Sequence, residues 1–440
     1  MMGWQKTSLD NICLRITDGA HHSPRSVDLG KPMASVKDLT PFGITLETCR
    51  HISEENFVNL IKQGCMPEVG DVLVAKDGAS ALDTVCEIKK PIEAVLLSSV
   101  AILRPNPDKV LSSFLRFYLD CEPIRQYMKN SFTSGAAIPR VVLKDFRKVE
   151  INLPPLEIQR KIASILSAYD DLIENNTRRI KILEEMAQAI HREWFVNFRF
   201  PGHEQVRMVD SPLGKVPEGW AAVPFEDLLS SMTGGDWGAE QPTDLETAEV
   251  VIVRGTDFNE VAYGGQLRVP LRYIKPSSLI TRGLKVGDVV IENSINAKSR
   301  CIGTTLLVDS YTLKRLGRDS VAASFCKVFR MHEPRLAPLV HLHVRYLREN
   351  ARMEYYQNVA ANGIGNFQAQ KFAKEEHLVF PADEAMCNKL ISSFEALFQS
   401  IGVLSSQLAN LRETRDLLLP KLISGKVDAS KMEISGEAVA

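Results

Sequence analysis

The sequence predicts an α+β protein in which two related globular domains are separated by two long helices that pair as an antiparallel coiled coil. Its 440 residues suffice for two to three units of ordinary domain size. Two long stretches place an apolar residue at every third or fourth position, the period of a helix with one buried side. The remainder falls into two blocks whose landmarks recur in one order: Val-Gly-Asp-Val at Asp71 and Asp288, tryptophan at Trp4 and Trp220, a helix-leading proline at Pro154 and Pro381. An offset that large marks a domain duplication, not a solenoid.

In the first block, 1–153, the turn Val69-Gly70 leads into a strand from Asp71, and Ser98–Leu103 forms a second. A helical stretch from Ser112 to Tyr127, a polar Gly-containing loop from Ser131 and a closing strand Val149–Leu153 follow. Pro154 and Pro155 then sit where a missing N–H costs nothing, and the first long helix occupies 154–198. Its stripe runs through Ile158, Ile162, Ile165, Tyr169, Leu172, Ile180, Leu183, Ala187, Ile190 and Trp194. Asn176 interrupts it, either fixing register or marking a place without a partner helix. A Gly- and Pro-containing linker is expected over 199–217.

The second block, 218–380, repeats the order: a strand from Asp288, another from Val321, a helical stretch Leu339–Tyr355, a loop around Gly363, and a strand His377–Phe380. The second long helix is expected over 381–425, with Met386, Leu390, Phe394, Leu397, Ile401, Leu404, Leu408, Leu411 and Leu418 on its stripe and Arg415 at one polar step. Gly402 costs about 1 kcal/mol of propensity, and Pro420 either ends the helix or precedes a short further turn. Residues 426–440 are expected to be a disordered tail. Each rod would be roughly 50 Å long. Helices of that length need a partner in water. Antiparallel pairing would carry the two globular domains to opposite ends.

The composition excludes several classes. With 53 Lys and Arg against 54 Asp and Glu, no uniformly basic coat is present, although local basic faces are allowed. A hydrophobic content of 45% excludes disorder over most of the length. The most apolar run, Ala94–Leu103, falls short of the ~20 residues a membrane span requires. The N-terminus lacks an apolar core of the secretory kind. Eight cysteines without a CxxC pair suit a reducing cytoplasm.

Catalytic machinery is not evident. The sequence has no GxGxxG after a strand, no GxxxxGK[ST], no GxSxG and no aromatic-flanked Asn/Asp-Pro-Pro element. Asp71 or Asp77 with Glu87 and Lys89 resembles the acidic pair plus lysine of metal-dependent nucleases, a permissive pattern. Adjacent His21 and His22 would point to opposite faces of a strand, and His341 and His343 lie in a helical segment where that spacing diverges.

The run Leu411–Asp428, containing Arg-Asp-Leu-Leu-Leu-Pro-Lys-Leu-Ile-Ser-Gly-Lys, resembles the tail of specificity subunits of type I restriction-modification systems. Leu153-Pro-Pro-Leu-Glu-Ile-Gln-Arg-Lys-Ile resembles the start of that family's first conserved helix, with Ile158 where Glu is frequent. Ile16–Pro24 and Gly70–Gly78 resemble pieces of its target recognition domains. The resemblance implies a noncatalytic, cytoplasmic DNA-binding subunit whose two target recognition domains each read half of a split target on double-stranded DNA. It implies docking of two modification (methyltransferase) subunits carrying S-adenosylmethionine, and of restriction (translocase/nuclease) subunits using ATP and Mg2+. This chain would hold no cofactor or metal of its own and would not meet a membrane.

Loops that enter a groove must carry donors and acceptors. In the first block the candidates are Asp18, His21, His22, Lys37, Lys76 and Arg140, with Lys76 expected on an exposed turn facing phosphate. In the second they are Arg254, Asn293, Asn296, Lys298, Arg300, Arg315 and Arg318. Trp194, Phe195 and Phe198 form an aromatic cluster suited either to a partner subunit or to packing against the second block. The competing readings are a protein-interaction scaffold without DNA binding, and a stand-alone nuclease using Asp77, Glu87 and Lys89.

Overall fold

The computed structural model describes residues 4–134, 140–295, 302–359 and 365–432. The chain divides into two compact units, Met1–Glu174 with Glu413–Ala440, and Asn175–Arg412. The first long helix is Leu156–His191, extended by a π-helical turn Arg192–Val196, and the second is Glu384–Ile423. Each contributes one segment to each unit.

In the first unit, strands β1 (Cys13–Asp18), β2 (Val72–Ala75), β3 (Val85–Glu87) and β4 (Val100–Pro105) form an antiparallel sheet in the order β1-β4-β2-β3. A second sheet pairs Lys31–Ala34 in parallel with Val95–Leu96, and Gln5–Ser8 pairs with Glu150–Leu153. The core of Val72, Val74, Leu103, Phe114 and Phe146 continues onto Ile162 and Leu166 of the first long helix and onto Leu419, Leu422 and Ile423 of the second. Fully burying each such side chain contributes about 1.5–3 kcal/mol.

The second unit repeats this plan. Strands β5 (Leu229–Gly234), β6 (Asp288–Glu292), β7 (Thr305–Leu307) and β8 (Cys326–Met331) take the order β5-β8-β6-β7, all antiparallel. Ala248–Val253 pairs in parallel with Ser320–Ala322, and Trp220–Pro224 pairs with His377–Pro381. The duplication read from the sequence is therefore a duplication of topology.

The two long helices pack together, antiparallel in both units. In the first, Asp170 accepts from Arg415 at 2.9 Å and also from Arg116, and Lys161 Nζ reaches the Ser430 carbonyl, past the end of the second helix, at 2.8 Å. The one polar step of the second stripe is thus the partner of a buried carboxylate. In the second unit, Asn176 Nδ2 donates to Gln407 Oε1 at 3.3 Å, so a partner helix faces Asn176.

Several expectations need correction. The second helix runs through Pro420 to Ile423, with Pro420 in its last turn, where few residues remain to be displaced by the lost bond and the crowded carbonyl four residues back. Residues 199–217 contain a β-hairpin, Met208–Ser211 with Gly214–Pro217, closed by Ser211 Oγ donating to the Gly214 carbonyl. The described part of the tail is packed: Val427, Ala429 and Met432 lie on the first unit's core. Gly402 is where Tyr311 packs against the helix, since a Cβ there would stand 2.3 Å from Tyr311 Cδ2.

Candidate nucleic-acid interface

In each unit a central strand of the sheet, β2 or β6, runs from the Val-Gly-Asp-Val turn at one end of the sheet to a matched row of positions, an edge across the strand ends, at the other. The Val-Gly-Asp-Val turn starts the strand: Gly70 (φ 91°) and Gly287 (φ 88°) adopt the left-handed conformation that glycine tolerates. The following aspartates are fully buried and capped from the backbone, Asp71 by Glu68 N and Asp288 by Lys285 N. Arg104 binds Asp71 through two bonds of 2.9 and 3.0 Å, and Arg330 binds Asp288 through two of 2.8 and 2.7 Å. These forked pairs pin β2 to β4 and β6 to β8.

Asp71, read from sequence as a possible metal ligand, is therefore a structural anchor. Its supposed companions also go elsewhere. Lys89 pairs with Asp171, Asp77 with Lys76 and Arg140, and burial pushes the Glu87 carboxyl up. Among the described residues, no group of three or more His, Cys, Asp or Glu could hold a metal ion.

Beyond the anchors, the backbone matches position by position. Gly19 and Gly235 lie so close to the carbonyls at Leu96 and Leu97, or Ala322 and Ala323, that a Cβ would clash in both. Lys76 N donates to the Ser99 carbonyl and Asn293 N to that of Phe325, both at 2.9 Å. The Lys76 carbonyl accepts from Val141 N at 2.9 Å, and the Asn293 carbonyl from Phe367 N at 2.8 Å. Asp18, Lys76, Asp77 and Arg140 thus correspond to Gly234, Asn293, Ser294 and Asn366.

In the first unit these positions carry a ladder of alternating charge. His21 Nε2 lies 3.1 Å from Asp18 Oδ1, Lys76 Nζ 3.4 Å from Asp18 Oδ2 and 3.2 Å from Asp77, and Arg140 Nε 3.2 Å from Asp77 Oδ1. The expectation that Lys76 lies exposed does not hold, since it is 1% exposed between two carboxylates. An ammonium withdrawn from water needs such partners, and two aspartates meet there only after folding. Asp18 is buried as well, whereas His21, His22, Lys37 and Arg140 are exposed.

The second unit is less charged. Asn293 and Ser294 are half-buried, and Ser294 Oγ donates to Asn366 Oδ1 at 3.0 Å. Among the described residues, the buried Asn293 Oδ1 atom has no hydrogen-bond partner. Asn296, Lys298 and Arg300 lie outside the described residues. Three predicted arginines have intramolecular partners. Arg254 grips Asp257 through two bonds of 2.8 Å, Arg318 pairs with Glu249, and Arg315 donates to the carbonyls of Glu260, Val261 and Gly265. Burial, reinforced by Arg412, lowers the Arg315 pKa to about 10. Carbonyl-bound and half-buried, Arg315 holds a turn together.

Trp237 and Phe325 were missed in the sequence. Both are partly exposed, their ring centroids 6.0 Å apart, and Arg272 lies over the Trp237 ring. Trp237 is the counterpart of His21, so the duplication offset was the signal for it. Trp194 packs on Phe200, and Phe195 and Phe198 on Trp220, so this cluster has an intramolecular partner within the second unit.

The two units are α+β modules of one topology, each containing a segment of both long helices. The family model described as "Type I restriction modification DNA specificity domain" matches residues 31–185. The MjaIX specificity subunit of a type I restriction enzyme from Methanocaldococcus jannaschii is 23% identical over 340 residues, covering 74% of this chain and 71% of that one. The HindI specificity subunit from Haemophilus influenzae is 25% identical over 387 residues, covering 76% and 81%. The crystal structure of a type I S subunit from M. genitalium shares the fold at a TM-score of 0.57, with 14% identity over 95% of this chain and 96% of that one. Over most of its length the chain is thus similar to specificity subunits of type I restriction-modification systems. Among the described residues, no helix is long and apolar enough to cross a membrane.

Proposed function

We propose that this subunit reads a bipartite target on double-stranded DNA, one half-site per module, and that the paired helices fix the gap between halves. The module boundaries we propose are 1–153 and 218–380, with the long helices over 154–198 and 381–425. The repetition of one backbone edge with different side chains carries the reading: a common scaffold serves two recognition tasks. Phosphate contacts by His21, His22 and Lys37 would place the first edge in register. Two modification subunits carrying S-adenosylmethionine would dock on the long helices, and restriction subunits using ATP and Mg2+ would join them.

The ruler reading rests on stiffness. A turn of B-DNA spans about 34–36 Å, and paired helices hold such a distance where a loop does not. The test is to insert four residues into both long helices and map the methylated sites of the assembled methyltransferase. A changed gap with unchanged half-sites is expected; an unchanged gap rejects the ruler. A scaffold without a DNA role predicts no sequence-specific retardation of DNA by the same complex.

A further inference from the structure

We infer that the four matched positions on each edge set base preference: 18, 76, 77 and 140 direct the first module to a G·C pair, and 234, 293, 294 and 366 direct the second to an A·T pair. The inference deepens the bipartite reading and rests on it. The backbone hydrogen bonds make these positions equivalent, so their side chains differ on a common frame.

The first edge offers a guanidinium beside a carboxylate, Arg140 Nε being 3.2 Å from Asp77 Oδ1. Guanine presents O6 and N7, which accept from an arginine fork, and its paired cytosine presents an N4 amino group that a carboxylate accepts from. Lys76 is too buried to reach DNA. It is a positioning residue, holding Asp18 and Asp77 through contacts of 3.4 and 3.2 Å.

The second edge carries no charge at the four positions. Asn366 is exposed and presents an amide, the group that pairs with adenine N6 and N7. Nearby, Asn293 Oδ1 is an acceptor left unsatisfied among the described residues, an unusual cost for a buried polar atom. Trp237 and Phe325, 38% and 37% exposed, supply the apolar surface that a thymine methyl contacts.

The test uses the full chain assembled with its modification subunits, with methylated motifs mapped genome-wide. Arg140→Gln is expected to relax one G·C position in one half-site, and Asn366→Ala one A·T position in the other, each lowering discrimination roughly 10- to 100-fold. The opposite assignment of base pairs, or an unaltered motif in both variants, overturns the inference. Duplexes carrying 7-deazaguanine in the mapped motif give a readout that needs no variant to fold: weakened binding by the unsubstituted complex supports the arginine contact, and undiminished binding at every guanine rejects it. If the unsubstituted complex methylates without a two-part motif, the bipartite reading falls first and this inference with it. A two-part motif with misassigned bases removes only the inference.

Discussion

Lys76 shows how much a single residue depends on its surroundings. Its side chain lies between Asp18 and Asp77 and is 1% exposed. Lys76→Met leaves two carboxylates facing each other, so a loss of about 3–5 kcal/mol is expected, measured by denaturant unfolding. A loss under about 1 kcal/mol would show the ladder to be solvated. Buried histidines give the second unit a pH dependence. Burial lowers the His341 pKa to about 3, with Arg345 adding to it, and burial with His343 lowers that of His191 well below its usual range. Both stay neutral in the folded state while the unfolded chain takes up protons below about pH 6.5. Stability is therefore lost as pH falls through that value, by about 1.4 kcal/mol per pH unit for each group. Hydrogen exchange in the helix Ala337–Glu349 between pH 7 and 5 should show this loss, and His341→Gln should halve the slope.

The long helices were legible in the sequence because their period survives for many turns, and Leu156–His191 and Glu384–Ile423 lie close to the expected spans. What the stripes could not show was why their exceptions are there. Gly402 lies under Tyr311, so Gly402→Ala gains helix propensity but drives a Cβ into the ring, and a net loss of about 1–3 kcal/mol is expected in thermal unfolding. A stabilised variant would mean that the ring moves aside freely. Asn176 is buried, whereas its partner Gln407 is exposed and can turn to water. Asn176→Leu should therefore raise stability by about 1 kcal/mol while loosening the register of the pair, visible as faster amide exchange along both helices.

Across the whole molecule, the duplication is a matter of backbone rather than of sequence. Outside the Val-Gly-Asp-Val turn few side chains coincide, yet strand order, parallel pairing and edge hydrogen bonds do. The forked pairs Asp71–Arg104 and Asp288–Arg330 serve one mechanical purpose in both copies. Asp71→Ala and Asp288→Ala should each cost about 3–5 kcal/mol, because an arginine loses its buried partner. A large effect from one and none from the other, by unfolding of the full chain, would deny that the two copies share this anchor. The arginines were not paired with the aspartates in advance, since β-strands bring together residues whose separation in sequence carries no signal.

From the residues alone came the helix pair, the two-block order, the family resemblance and the choice of Asp18, His21 and Arg140 as candidate DNA-contacting residues. Periodicity and turn chemistry act between near neighbours, so they are written along the chain. Only the folded protein decided that Lys76 is enclosed and that Arg254, Arg315 and Arg318 are engaged within the molecule. Those outcomes depend on which distant groups share a small volume with little water, and burial of that kind is set by packing in three dimensions.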